Sequence, residues 1–205
     1  MLAALTTLET ALLTSLLTSF LISIPTSILT WIATEFLLKS WVRPKLVLSY
    51  DDADPFCRLP YGSESAYLRL RVTNGRYASA KRPRVYLMNV EEVGGGQTGF
   101  SDILPLSWAY ETSQQKDVPN KPRTADLPLM KDTPDYADLC FQRKNEQQAK
   151  LGLLVDPFNK YAGFIKTGVN YKLTLQAVAE DAKPAIVQGF LLWDGTPDGL
   201  QFHLA

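Results

Sequence analysis

Two hydropathy patterns divide the chain. From Thr10 to Thr34 run 25 residues without a charged side chain, bracketed by Glu9 and Glu35. At 1.5 Å per residue such a stretch makes ~38 Å of helix, enough to cross a hydrocarbon core of ~30 Å with some tilt. From Pro44 onward the pattern changes to short alternating runs. "KLVLSY", "AYLRLRVTN", "PRVYLMNV", "ILPLSWAY", "KLGLLVD", "YKLTLQAVAE" and "IVQGFLLWDG" predict strands separated by Gly, Pro, Asn and Asp clusters. "QRKNEQQAK" predicts a short helix, and residues 111–134 the longest loop. The expected fold is mainly β: a transmembrane helix and juxtamembrane segment over 1–43, then an antiparallel β-sandwich over 44–205.

The apolar stretch carries an internal repeat. Written in fours from Ala3 it reads AALT, TLET, ALLT, SLLT, SFLI, SIPT, SILT, WIAT. One row holds Thr7, Ser15, Ser19, Ser23 and Ser27; its neighbour holds Thr10, Thr14, Thr18, Thr26, Thr30 and Thr34. The rows lie about 100° apart and merge into one small, hydroxyl-bearing half of the helix. Small residues four apart allow close backbone approach between helices in lipid, with right-handed crossings near about −40°. These eleven residues are the expected helix interface or pore lining. The competing reading is that each hydroxyl bonds back to the carbonyl one turn earlier and needs no partner. Pro25 removes a backbone donor midway and predicts a kink, with a hairpin turn as its alternative.

Charge is balanced, 21 basic residues against 21 acidic, so attraction to nucleic acid or a membrane surface must be local. Lys39, Arg43 and Lys45 follow the span while Glu9 precedes it. The positive-inside rule then places the C-terminal domain in the cytoplasm, and Trp41 suits the headgroup level. The absence of a basic start and the length of the apolar core argue for an uncleaved anchor over a signal peptide. Cys57 and Cys140 are the only cysteines; they are expected as thiols in a reducing cytoplasm, or as one disulfide if the topology is reversed.

Candidate chemistry concentrates between Tyr67 and Tyr86, where Arg69, Arg71, Arg76, Lys81, Arg82 and Arg84 occur without an acid. Alternation turns Tyr67, Arg69, Arg71, Arg84 and Tyr86 outward. If these two strands pair, one face carries arginine beside tyrosine, a combination suited to phosphate contact and base stacking. Tyr67, Arg69, Arg71, Arg76, Arg82, Arg84 and Tyr86 are therefore the expected ligand-binding set, for a nucleotide or oligonucleotide; a solvated face, or one against lipid or protein, is the plainer alternative. "GGGQTG" formally matches a dinucleotide fingerprint but leads into a predicted loop and strand, so a hairpin turn is expected. "YDDAD" lacks the glycine and final glutamate of an EF-hand loop and reads as a solvated turn, as does "DGTPDG". His203 is the only histidine; no histidine zinc cluster is available, and nothing signals a catalytic site, a metal or a cofactor.

The segment "YLRLRVTNGRYASAKRPRVYL" resembles the Ig-like modules of bacterial proteins, which implies an Ig-like sandwich and no activity. The layout of an anchor with a hydroxyl-rich face and a cytosolic β-rich domain resembles membrane effectors of bacterial anti-phage defence, such as the oligonucleotide-controlled effector of the Hailong system. That resemblance implies a homo-oligomer in the bacterial inner membrane whose assembly or ion-conducting pore is gated by a ligand on the soluble domain. The alternatives are a tethered Ig-like interaction or structural protein, including one with its sandwich outside the cell, and a membrane-bound enzyme.

Overall fold

The computed structural model describes residues 2–38, 42–59, 65–94, 98–109, 128–143, 146–155 and 160–205, with helix side chains described from Thr14 to Phe36. The chain divides into two compact units, 1–43 and 44–205.

The first unit is helix α1 (Leu2–Ile32), continued by a π-helical turn, Ala33–Leu38. Pro25 lies inside α1 without ending it, so the hairpin alternative is not formed. By helical geometry the carbonyl that loses its amide donor there is that of Leu21. Thr14–Phe36 is long and apolar enough to cross a membrane, and none of it is buried. Lys39, counted for the positive-inside orientation, and Trp41, expected at the headgroups, lie outside the described residues.

The second unit is two five-stranded antiparallel sheets. Its strands are β1 (Leu46–Ser49), β2 (Arg58–Leu59), β3 (Ser65–Asn74), β4 (Arg84–Glu92), β5 (Leu104–Pro105), β6 (Asp135–Arg143), β7 (Lys150–Leu151), β8 (Asn170–Val178), β9 (Ala185–Trp193) and β10 (Leu200–Leu204). One sheet has the order β1-β3-β6-β7, with β2 also on β3; the other runs β10-β9-β8-β4-β5. Period-2 alternation explains why. β3 and β8 bury every second residue, and Leu68, Leu70, Val72, Leu173 and Leu175 from the two sheets join one core with Leu87, Trp108 and Leu191. Gly189 permits a close approach within the second sheet: a Cβ there would stand 2.4 Å from the Phe202 ring.

Four elements differ from expectation. β6, central to its sheet, is not legible as a strand because Tyr136, Ala137, Asp138, Leu139 and Cys140 are all buried, leaving no alternation. The expected helix over 142–150 is not formed by its described residues: Gln142 and Arg143 end β6, Glu146 donates its amide to the Arg143 carbonyl in a turn, and Lys150 begins β7. β2, beside β3, and β10, edging the second sheet, also lie outside the predicted strands. Of the expected long loop, residues 111–127 lie outside the described residues.

Candidate functional site

The helix stripe is the first candidate. Thr7 and Thr10 belong to α1, but their side chains lie outside the described residues. Thr14, Ser15, Thr18, Ser19, Ser23, Thr26, Ser27, Thr30 and Thr34 are all exposed. From Thr18 onward their hydroxyls turn back on the helix: Thr18 donates to the Thr14 carbonyl at 2.7 Å, Ser19 to Ser15 at 2.8 Å, Thr26 to Ile22 at 2.8 Å, Ser27 to Ser23 at 2.7 Å, Thr30 to Thr26 at 2.7 Å and Thr34 to Thr30 at 2.7 Å. Ser23 makes a longer bond, 3.3 Å, to Phe20. These donors are used locally, which leaves a smooth surface of methyl groups and acceptor oxygens suited to close packing.

The second candidate, the arginine and tyrosine set, is distributed differently from the arrangement that strand pairing would have produced. β3 and β4 do not pair; they lie in different sheets. Tyr67, Arg69 and Arg71 occupy the outer face of the first sheet, Arg84 and Tyr86 that of the second, and Arg76 and Arg82 the loop between. The alternation itself is as expected, but a sandwich sends the two outer faces in opposite directions. One composite surface is therefore not formed.

On the first sheet, register supplies partners from β6. Arg69 pairs across strands with Asp138, Nε to Oδ1 at 2.7 Å, and both are nearly buried, at 13% and 3% side-chain exposure. Burial pushes the Asp138 carboxyl up, against the opposing Arg69 charge. Tyr67 stacks on Phe141, with ring centroids 5.5 Å apart and planes 23° apart. The Arg69 guanidinium lies 4.8 Å from the Tyr67 ring centre, and that of Arg143 5.4 Å from Phe141. This ledge combines cation–π contacts with a stacked pair and suits a planar or anionic group. Phe141 and Arg143 were not legible as site residues, because only the β3–β6 register brings them beside Tyr67. Glu146 offsets part of the charge through Arg143 at 3.9 Å and Lys150 at 2.8 Å.

"YDDAD" folds as a turn, with Asp51 Oδ1 accepting the Ala53 amide and Asp54 Oδ1 the Phe56 amide. Burial opposes ionisation of Asp54, but the Phe56 amide, the Tyr136 hydroxyl and Arg71 outweigh it and hold its carboxyl low. Arg71 stands 3.9 Å from Asp54. Tyr136, desolvated and bonded to Asp54, is pushed up to about 12. No group of three metal-ligating side chains occurs among the described residues.

Cys57 and Cys140 are both free and wholly buried, in separate clusters, so the disulfide alternative is not formed. Burial pushes both thiols up, Cys140 to about 12. His203 lies on the outer face of the second sheet, stacked on Phe190 at 5.2 Å, and does not meet either thiol. Gly94 and Gly99, both at positive φ, flank the link from β4 to its hairpin partner β5; residues 95–97 lie outside the described set. Ser101, Asp102, Lys160 and Tyr161 converge, with Lys160 Nζ 3.2 Å from Ser101 Oγ and 2.9 Å from Asp102. Hydrogen bonds to Asp102 and Tyr161 push the Lys160 amine up, so it stays protonated at neutral pH and does not act as a base toward Ser101.

No protein-family model, curated protein or solved structure matches the chain.

Proposed function

We propose that the protein is a non-enzymatic, single-pass membrane protein whose helix associates with further copies of itself and holds the β-sandwich in the cytoplasm as a ligand- or partner-controlled effector. The observation that carries this reading is the span Thr14–Phe36, apolar and entirely unburied, with a small-residue half, interrupted at Ile22, whose hydroxyl donors from Thr18 onward are already used. Leu16, Leu17, Phe20 and Leu21 on the bulkier side suit lipid, and the short side chains suit a second helix. Local use of the hydroxyl donors supports dry helix packing more than a water-lined pore. The Tyr67–Phe141 ledge, flanked by Arg69 and Arg143, is the surface offered to a ligand with a stackable or anionic group such as a nucleotide. Strand order also supports the Ig-like comparison, since β3 and β6 share one sheet while β4, β8 and β9 are neighbours in the other.

Cross-linking of the full chain in native membranes tests the assembly. Ser19→Leu and Ser23→Leu should each reduce the oligomer by blocking close approach, and Leu16→Ile should not. Oligomers unchanged by both serine variants defeat the interface assignment. Ion flux on induced expression separates a conducting assembly from a packed one.

The second reading is a tethered interaction or structural module. It is favoured by the pairing of Arg69, Arg71 and Arg82 with Asp138, Asp54 and Glu180, which spends their charge inside the domain. A stable single-span monomer without effect on membrane potential selects it.

A further inference from the structure

Charge that balances over the whole chain is segregated along the sandwich. The chain enters the second unit at Pro44, and the backbone of the next residue, Lys45, is clamped at the end of β3: its amide donates to Asn74 Oδ1 at 3.2 Å, and its carbonyl accepts the Gly75 amide at 2.9 Å. Lys45 also bridges to Lys183. Three connections meet at this end, namely the β3–β4 loop, the segment before β6 and the β8–β9 loop. They are tied by the Ala80–Leu129 and Asn74–Lys131 bridges, by the Glu180 amide bonding to the Lys81 carbonyl, and by the Arg82–Glu180 ion pair at 2.9 Å.

This end gathers Lys45, Arg76, Lys81, Arg82, Lys131 and Lys183 against Asp132, Asp135, Glu180 and Asp181. Within it stand two large exposed side chains, Tyr77 at 86% and Met130 at 57%. Lys131 Nζ lies 3.7 Å from the Tyr77 ring centre. The opposite end carries Asp51, Asp52, Glu91, Glu92, Glu146, Asp194 and Asp198, offset in part by Arg58, Arg143, Lys150 and Lys166. An exposed aromatic ringed by lysine and arginine is the composition that partitions to a headgroup layer, where the ring finds an apolar boundary and the cations meet phosphate.

We propose that this basic, tyrosine-bearing end of the sandwich docks on the anionic surface of the bilayer that its own helix enters. The partner is a layer of anionic lipid headgroups. The proposal rests on the membrane reading given above. Covalent reach supports it: only residues 39–44 separate the π-helical turn from Lys45. At ~3.5 Å per residue, six residues span ~21 Å when fully extended, which confines Lys45 near the surface of any bilayer holding the helix. Arg76 and Arg82, expected from sequence to bind a soluble ligand, then serve the membrane contact, leaving the Tyr67–Phe141 ledge clear of it.

The test uses the full chain in liposomes of phosphatidylcholine, alone or mixed with phosphatidylglycerol. A single cysteine is introduced as Met130→Cys at the basic end or Val93→Cys at the opposite end and spin-labelled; Cys57 and Cys140 are wholly buried and remain unlabelled. Nickel chelated on lipid headgroups relaxes a nearby label. Relaxation at position 130 should exceed that at 93 in the mixed liposomes. It should fall as salt shortens the screening length from ~30 Å at ~0.01 M to ~3 Å at ~1 M, and drop in phosphatidylcholine alone. The combined variant Lys81→Glu, Arg82→Glu, Lys183→Glu should abolish the difference. Equal relaxation at the two positions, or a signal indifferent to lipid charge and to the triple variant, overturns the docking proposal. Loss of the protein from liposomes on alkaline extraction overturns the anchor reading and docking together, whereas retention with a flat response overturns docking alone.

Discussion

The Arg69–Asp138 pair is a buried ion pair that joins two strands of the first sheet. Their bond spans β3 and β6 at 2.7 Å, with 13% and 3% of the side chains exposed. Arg69→Met keeps the apolar stem and removes the charge, leaving a carboxylate with almost no access to water. Removing one partner of a buried pair costs ~3–5 kcal/mol, a large part of the ~5–15 kcal/mol that holds a domain folded. At ~2–4 °C per kcal/mol for a domain of this size, the melting temperature should fall by ~6–20 °C. Replacing both partners, Arg69→Met with Asp138→Leu, removes the stranded charge and should restore most of the loss.

The pH dependence follows from Asp138. Burial raises its folded value above the unfolded one, so the folded state holds this proton more tightly. Its contribution therefore declines as pH rises from the ordinary carboxylate range through the folded value. Arg69→Met removes the opposing charge, raises the folded value further and extends that loss upward. The deficit against the unmodified protein should accordingly be largest near neutrality and shrink on acidification. Circular-dichroism melts of the detergent-solubilised chain, with the unmodified protein alongside at each pH, give the comparison. A single variant within about 1 kcal/mol of the parent, or a double variant as unstable as the single, would falsify the account of a buried, mutually dependent pair.

Other positions give sharp outcomes. Gly152→Ala would place a Cβ 2.1 Å from the Asp138 carbonyl oxygen, a backbone atom that cannot step aside; a loss of at least ~3 kcal/mol is expected in chemical denaturation. Asn74→Ala removes a fully buried amide that accepts from Lys45 and Arg76 and donates to Ala78 and Leu129. It should cost ~3 kcal/mol or more, with early proteolysis at the 75–83 loop as an independent readout. Cys57 and Cys140, buried with their thiols pushed up, should titrate with a thiol reagent only after denaturation and show the same gel mobility with and without reductant. Modification of either thiol in the folded chain would contradict that burial.

Sequence alone determined the division at residue 44 between an apolar helix and a β-rich domain, because hydropathy and period are local properties of the chain. It also determined the inward set of β3 and β4, such as Leu68, Leu70 and Val85, since a strand that buries one face must alternate. Only the tertiary structure decided which strands share a sheet. That choice put Arg69 beside Asp138 and Tyr67 beside Phe141, sent Arg84 and Tyr86 to the far face, and gathered Arg76, Arg82, Lys131 and Lys183 at the end where the chain enters. Pairing between strands distant in sequence depends on core packing and register, and no local pattern records it. β6 shows the limit from the other side: buried on both faces, with an aspartate satisfied by an arginine from another strand, it has a strand's environment without a strand's alternation.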